Sequence, residues 1–96
     1  MRLRYSRRAT YDLASIHEFL GTRSPRAALS VMTSIYAALE FIRQHPDASE
    51  LTSIRGIRGK IVRKYRFKIF YRVIAEDDTI EIVHVRHASR RPFEKE

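Results

Sequence analysis

The residues able to do chemistry are cations and histidines towards the C-terminal end. Arg55, Arg58, Lys60, Arg63, Lys64, Arg66, Lys68 and Arg72 make up eight of the nineteen Lys and Arg, and no acidic residue lies between Glu50 and Glu76. Arg86 and Arg90 follow, close to His84 and His87. Like charges facing each other on neighbouring strands are destabilising, so a one-signed face is a feature kept for an anionic partner. The same residues suit RNA cleavage. That reaction needs a base for the 2′-hydroxyl, an acid for the leaving oxygen and cations for the phosphorane charge. His87 fits the base or acid role, because imidazole ordinarily titrates near neutrality. Arg63, Arg66, Arg72 and Arg90 would supply the positive charge. Glu81 is a poorer candidate because it stands beside a turn. His84, among Ile82, Val83 and Val85, reads as a packed or hydrogen-bonded histidine. His17, His45, His84 and His87 lack metal-ligand spacing supported by carboxylates or cysteines, so no metal and no cofactor are expected. With no cysteine in the chain, thiol catalysis and disulfides are excluded.

These residues need strands to hold them. From Lys60 to Arg90, two runs rich in β-branched and aromatic residues flank Glu76-Asp77-Asp78. In the first run Phe67, Ile69, Tyr71 and Val73 share one parity, while Arg66, Lys68 and Arg72 share the other. Period-two alternation is the pattern of a strand with one apolar face. The second run is Ile80, Ile82, Val83 and Val85. Acidic residues between the runs point to an antiparallel hairpin whose register stays open, and a slip of one residue would exchange the faces. Phe70 and Ile74 fall on the basic parity. The sheet therefore carries apolar area on both faces, and the second face is expected to receive a partner segment through Phe70 and Ile74.

The rest of the chain supplies the cover. Residues 2–5 alternate and read as a short edge strand. Ser6 can cap a helix over residues 7–20, with Ala9, Leu13, Ile16 and Leu20 as its stripe and Gly21 placed to end it. Ser24-Pro25 starts a second helix over 25–44, with Ala28, Val31, Met32, Ile35, Leu39 and Ile42 as its stripe and Pro46 as its stop. A linker of about four residues favours an antiparallel helical hairpin. Residues 46–59 read as a loop leading into a strand near Gly59–Lys64. The expected order is strand, helix, helix and three strands. That is an α+β domain with a helical hairpin packed on a C-terminal antiparallel sheet.

Ninety-six residues make one domain, 1–96, and 44% hydrophobic content supports a globular core. The net charge of +8 favours an acidic or nucleic-acid partner. No segment approaches 18 apolar residues, so no membrane span is expected, and the N-terminus lacks the apolar run of a signal peptide.

Four stretches in this order carry a resemblance. They are Ala9-Thr-Tyr-Asp-Leu-Ala-Ser-Ile16, Ala38-Leu-Glu-Phe-Ile-Arg-Gln-His-Pro46, Tyr65-Arg-Phe-Lys-Ile-Phe-Tyr-Arg72, and Ile80-Glu-Ile-Val-His-Val-Arg-His-Ala-Ser-Arg90. Together they resemble the toxins of type II toxin–antitoxin modules, the RelE/ParE superfamily, over almost the whole chain. The ParE branch is the nearer, because His87 and Arg90 match the end of its last strand. The resemblance implies a cytoplasmic, plasmid-stabilising toxin that inhibits DNA gyrase and is wrapped by a ParD-type antitoxin, often as two toxins with two antitoxins. On that reading Arg63, Arg66, Lys68, Arg72, Arg86 and Arg90 contact the target. Direct nucleic-acid binding is secondary, and the protein inhibits by binding rather than as an enzyme. The alternative is a ribosome-dependent mRNA endoribonuclease of the RelE type. The tail Arg90-Arg-Pro-Phe-Glu-Lys-Glu96 lacks the Tyr or His that active ribonuclease members often carry there, which counts against that alternative.

Overall fold

The computed structural model describes residues 1–88. Strand β1 (Arg2–Tyr5) leads into helix α1 (Arg7–Arg23) and helix α2 (Pro25–Gln44). Strands β2 (Glu50–Leu51), β3 (Arg58–Val62), β4 (Phe67–Ile74) and β5 (Thr79–His87) follow among the described residues, with a 3-10 turn at Ala75–Asp77 before β5. They form one five-stranded sheet in the order β1-β5-β4-β3-β2. Pairing is antiparallel from β2 to β5, whereas β1 lies parallel to β5, so the sheet is mixed.

The first helix begins where Ser6 accepts a hydrogen bond from the Ala9 N–H, and Ser6 Oγ itself donates to the Val83 carbonyl. Gly21 does not end it. With no αL residue required, the helix runs on to Arg23. Ser24 stops α1 and starts α2 at once: its N–H donates to the Leu20 carbonyl while its hydroxyl accepts from the Ala27 N–H. One residue thus replaces the expected four-residue linker. The predicted α2 stripe is buried throughout, from Ala28 to Ile42. From Val31 to Ile42 it packs with Ala9, Val62, Phe67, Ile69, Tyr71, Ile80, Ile82 and Val85 in one core between the helices and a single face of the sheet.

Two features of the sheet differ from the expectation. Strand β2, within the expected loop 46–59, is two residues long and pairs only with Arg58 and Gly59. The register also shifts between Phe70 and Tyr71: Tyr71 faces Ile82, Phe70 faces His84, and Val83 is the extra residue of a β-bulge. Because of that bulge, Ile80, Ile82 and Val85 all reach the core although strict alternation would turn Val85 outward.

Candidate functional site

Asp12 on α1 organises the local structure around the two C-terminal histidines. Beyond Tyr5, β1 no longer covers the outer edge of β5, and α1 takes its place. Asp12 Oδ2 accepts the Val85 N–H at 3.0 Å and lies 2.6 Å from His84 Nδ1. A carboxylate only accepts, so the contact places the ring proton on Nδ1. Asp12 Oδ1 also accepts from the more exposed Arg8 at 3.3 Å. The His84 ring then stacks on Phe70, 5.8 Å between centroids and 15° apart in plane. His84 is buried and hydrogen-bonded, as its sequence neighbours indicate. Asp12 has no role that the cation pattern identifies. Its signal is its place three residues after Ala9 and one before Leu13, where a carboxylate on the buried side of a helix needs a partner.

The pairing register sorts the cations. On the sheet face opposite the helices, Lys68 stands across from Arg86 and Arg72 across from Glu81. Arg2 and Arg4 extend the same face across β1, opposite Thr79 and Glu81. Lys68 Nζ lies 5.1 Å and Arg86 Cζ 5.5 Å from the Phe70 ring centroid. A Cβ at Gly59 would come within 2.6 Å of Lys68 Cε, so the glycine gives Lys68 its room above Phe70. Phe70 itself is 0% exposed. That corrects the expectation of an open apolar docking face at Phe70: His84, Lys68 and Arg86 cover the ring, and Ile74 is only half-buried.

Several expected target-contacting residues separate. Arg72 is engaged with Glu81, by Nε at 2.8 Å and Nη2 at 2.7 Å, and Glu81 also receives Arg4 at 3.7 Å. Arg63 and Arg66 are in the β3–β4 turn, not on strands, and both are exposed. Arg66 has φ +59, and its carbonyl accepts from the Ala88 N–H at 2.7 Å, tying the turn to the end of β5. His87 stands opposite Phe67 on the helix side and packs edge-on against it at 5.2 Å. Arg72 lies on the other face and five rungs away, ~16 Å along the strand. His87 and the Arg63–Arg66 turn thus share one end of the sheet, while Arg72 is remote. Arg90 lies outside the described residues.

A groove of about 1060 Å³ opens at that end. One wall is α1, with Arg8, Tyr11, Asp12, Ser15, Phe19 and Thr22, and the other holds Tyr65, Phe67 and residues 84–87. Burial and then the neighbouring Tyr36 phenol raise Tyr5. Hydrogen bonds from Arg43 and Gln44 hold Glu40 down at about 2, and the same contact raises Arg43. Among the described residues no group of three or more His, Cys, Asp or Glu is placed to hold a metal, and no helix is long and apolar enough to cross a membrane.

Comparison with known proteins gives concordant results. Toxin RelE2 of Caulobacter vibrioides is 26% identical over 83 residues, 86% of this chain and 90% of that protein. Among solved structures, the chromosomal ParDE system of P. aeruginosa contains a chain that superposes with a TM-score of 0.81 at 22% identity, covering 93% of this chain and 97% of that one. The E. coli RelBE complex gives 0.60 at 18% identity over 93% and 98% of the two chains. RelBE2 of Mycobacterium tuberculosis gives 0.62 at 20% over 90% and 95%. Residues 3–92 match the family model of the ParE toxin of the type II toxin–antitoxin system parDE, so the chain belongs to the ParE toxin family and to the wider RelE/ParE superfamily of type II toxins.

Proposed function

We propose that this toxin inhibits DNA gyrase in the cytoplasm and that a cognate ParD-type antitoxin neutralises it, in an assembly of two toxins with two antitoxins. The observation that carries the gyrase reading is the dispersal of the groups RNA cleavage would need. A base, an acid and several cations must converge on one phosphate. His87 faces the helix side, and Arg72 is on the opposite face, held by Glu81. His84, the other imidazole nearby, has its Nδ1 committed to Asp12. What remains is a dispersed positive surface, Arg63 and Arg66 at the turn with Lys68 and Arg86 on the open sheet face. Such a surface suits binding to a large anionic assembly, and gyrase holding DNA is one. The match to the ParE family model supports the same choice.

The ribonuclease reading keeps one observation in its favour. His87 is half-buried in an open groove beside a turn bearing Arg63 and Arg66. One induced bacterial culture separates the two readings. Chromosomal breaks with an SOS response, and no new mRNA ends by primer extension, are expected. Codon-phased mRNA cuts abolished by His87→Ala would establish the ribonuclease instead.

A further inference from the structure

Helix α2 buries one side in the core and turns the other to solvent. The solvent side carries Arg26, Leu29, Thr33, Tyr36, Ala37 and Glu40, all exposed. Positions i, i+4, i+7 and i+8 share a helix face, so these side chains form one ridge. Two of them are large and apolar, Leu29 at 71% and Tyr36 at 54% exposed, and Tyr5 at the end of β1 stands near Tyr36. A helix needs no apolar residue on its outer side to pack on a sheet, so the ridge carries more apolar area than the fold uses.

The order of residues along the ridge is complementary to itself. Arg26 and Glu40 stand about two turns either side of Thr33, and Leu29 and Ala37 about one turn either side. When a second copy of α2 lies antiparallel about a twofold axis beside Thr33, each Arg26 comes level with the Glu40 of the other copy. Each Leu29 comes level with the other copy's Ala37 and Tyr36, so that a large side chain meets a small one and an aromatic ring. Glu40 is already oriented for this contact. Arg43 donates to both of its oxygens and Gln44 to Oε2, which leaves Oε1 able to accept one bond more. The ridge is also where two copies of a basic chain meet with little repulsion. The net charge is +8, but Arg63, Arg66, Lys68 and Arg72 belong to the β3–β4 turn and the open sheet face, whereas α2 carries only Arg26 and Arg43 against Glu40.

We propose that the free toxin self-associates through α2, as an antiparallel twofold pair centred on Thr33. Because the helices lie on one side of the sheet, the pair leaves both open sheet faces, with Lys68, Arg72 and Arg86, turned outward. The inference concerns the toxin without its antitoxin and does not depend on which target it binds.

The test is sedimentation velocity on the purified toxin, free of antitoxin, across a dilution series, with circular dichroism to confirm the fold of each variant. The wild-type chain is expected to sediment as a dimer that dissociates on dilution. Leu29→Glu and Arg26→Glu should each weaken the dimer about tenfold or more. The double exchange of Arg26→Glu with Glu40→Arg should recover most of the Arg26→Glu loss, because a twofold pair reverses both contacts at once. Tyr11→Ser, at an exposed position on α1 and off the ridge, should behave as wild type. Where Leu29→Glu is misfolded, Leu29→Ser replaces it. A wild-type toxin that stays monomeric up to about 100 μM, a dimer indifferent to the Leu29 substitution, or a double exchange no tighter than Arg26→Glu alone overturns the proposal.

Discussion

Asp12 shows why charge patterns and structure rank residues differently. Its carboxylate satisfies a strand N–H and a buried imidazole at once, and its side chain is only 11% exposed. Asp12→Ala leaves both donors without an acceptor, at a cost of about 2–3 kcal/mol in urea unfolding. Arg8→Ala breaks an exposed contact to the same carboxylate and should cost below about 1 kcal/mol. Equal losses would show that Asp12 acts as a surface charge. Arg66 offers the opposite separation. An arginine at φ +59 occupies a conformation that favours glycine, so Arg66→Gly should keep or raise stability, by up to about 1 kcal/mol, while reducing growth inhibition. Loss of stability together with toxicity would make Arg66 a structural residue. The clustering of cations and histidines towards the C-terminal end was legible in the sequence. Their grouping was not, because Arg66 reads as a strand residue by parity until the turn at residues 63–66 is known.

The helices were nearly readable to the residue, since periodicity and caps both act locally. Ser24-Pro25 marked the start of α2, and its stripe is buried as predicted. Gly21 misled, because glycine ends a helix only where a left-handed residue is required, and Ser24 ends α1 in extended conformation. Ser24 serves two helices. Ser24→Ala should therefore cost about 1 kcal/mol and lower Tm by roughly 4–8 °C, read by thermal circular dichroism. No shift would mean that helix packing alone holds the corner. The strands were legible as a hairpin but not in register. The bulge at Val83 is a long-range adjustment, in which β5 gains a residue so that Val85 and His84 meet their proper faces. The run Ile82, Val83, Val85 held the trace of it, a break in alternation. Strand β2, with two residues, falls below what any local pattern signals.

Charge and fold together set how this toxin meets other molecules. The helical hairpin covers one side of the sheet and leaves Lys68 and Arg86 on the other, backed by a buried Phe70, while Arg63 and Arg66 stand at one end. Binding led by dispersed cations weakens steeply with salt, so inhibition of a DNA-bound target should fall as ionic strength rises above the physiological range. The experiment to make first combines purified gyrase, ATP and supercoiled plasmid with the toxin, and follows linear DNA released after denaturation of the enzyme. The account predicts linear DNA only when gyrase and toxin are both present, suppressed by prior addition of the antitoxin and reduced in Arg63→Glu and Arg66→Glu. A toxin that leaves gyrase's supercoiling and cleavage unchanged, while cutting mRNA on ribosomes through His87, would contradict it.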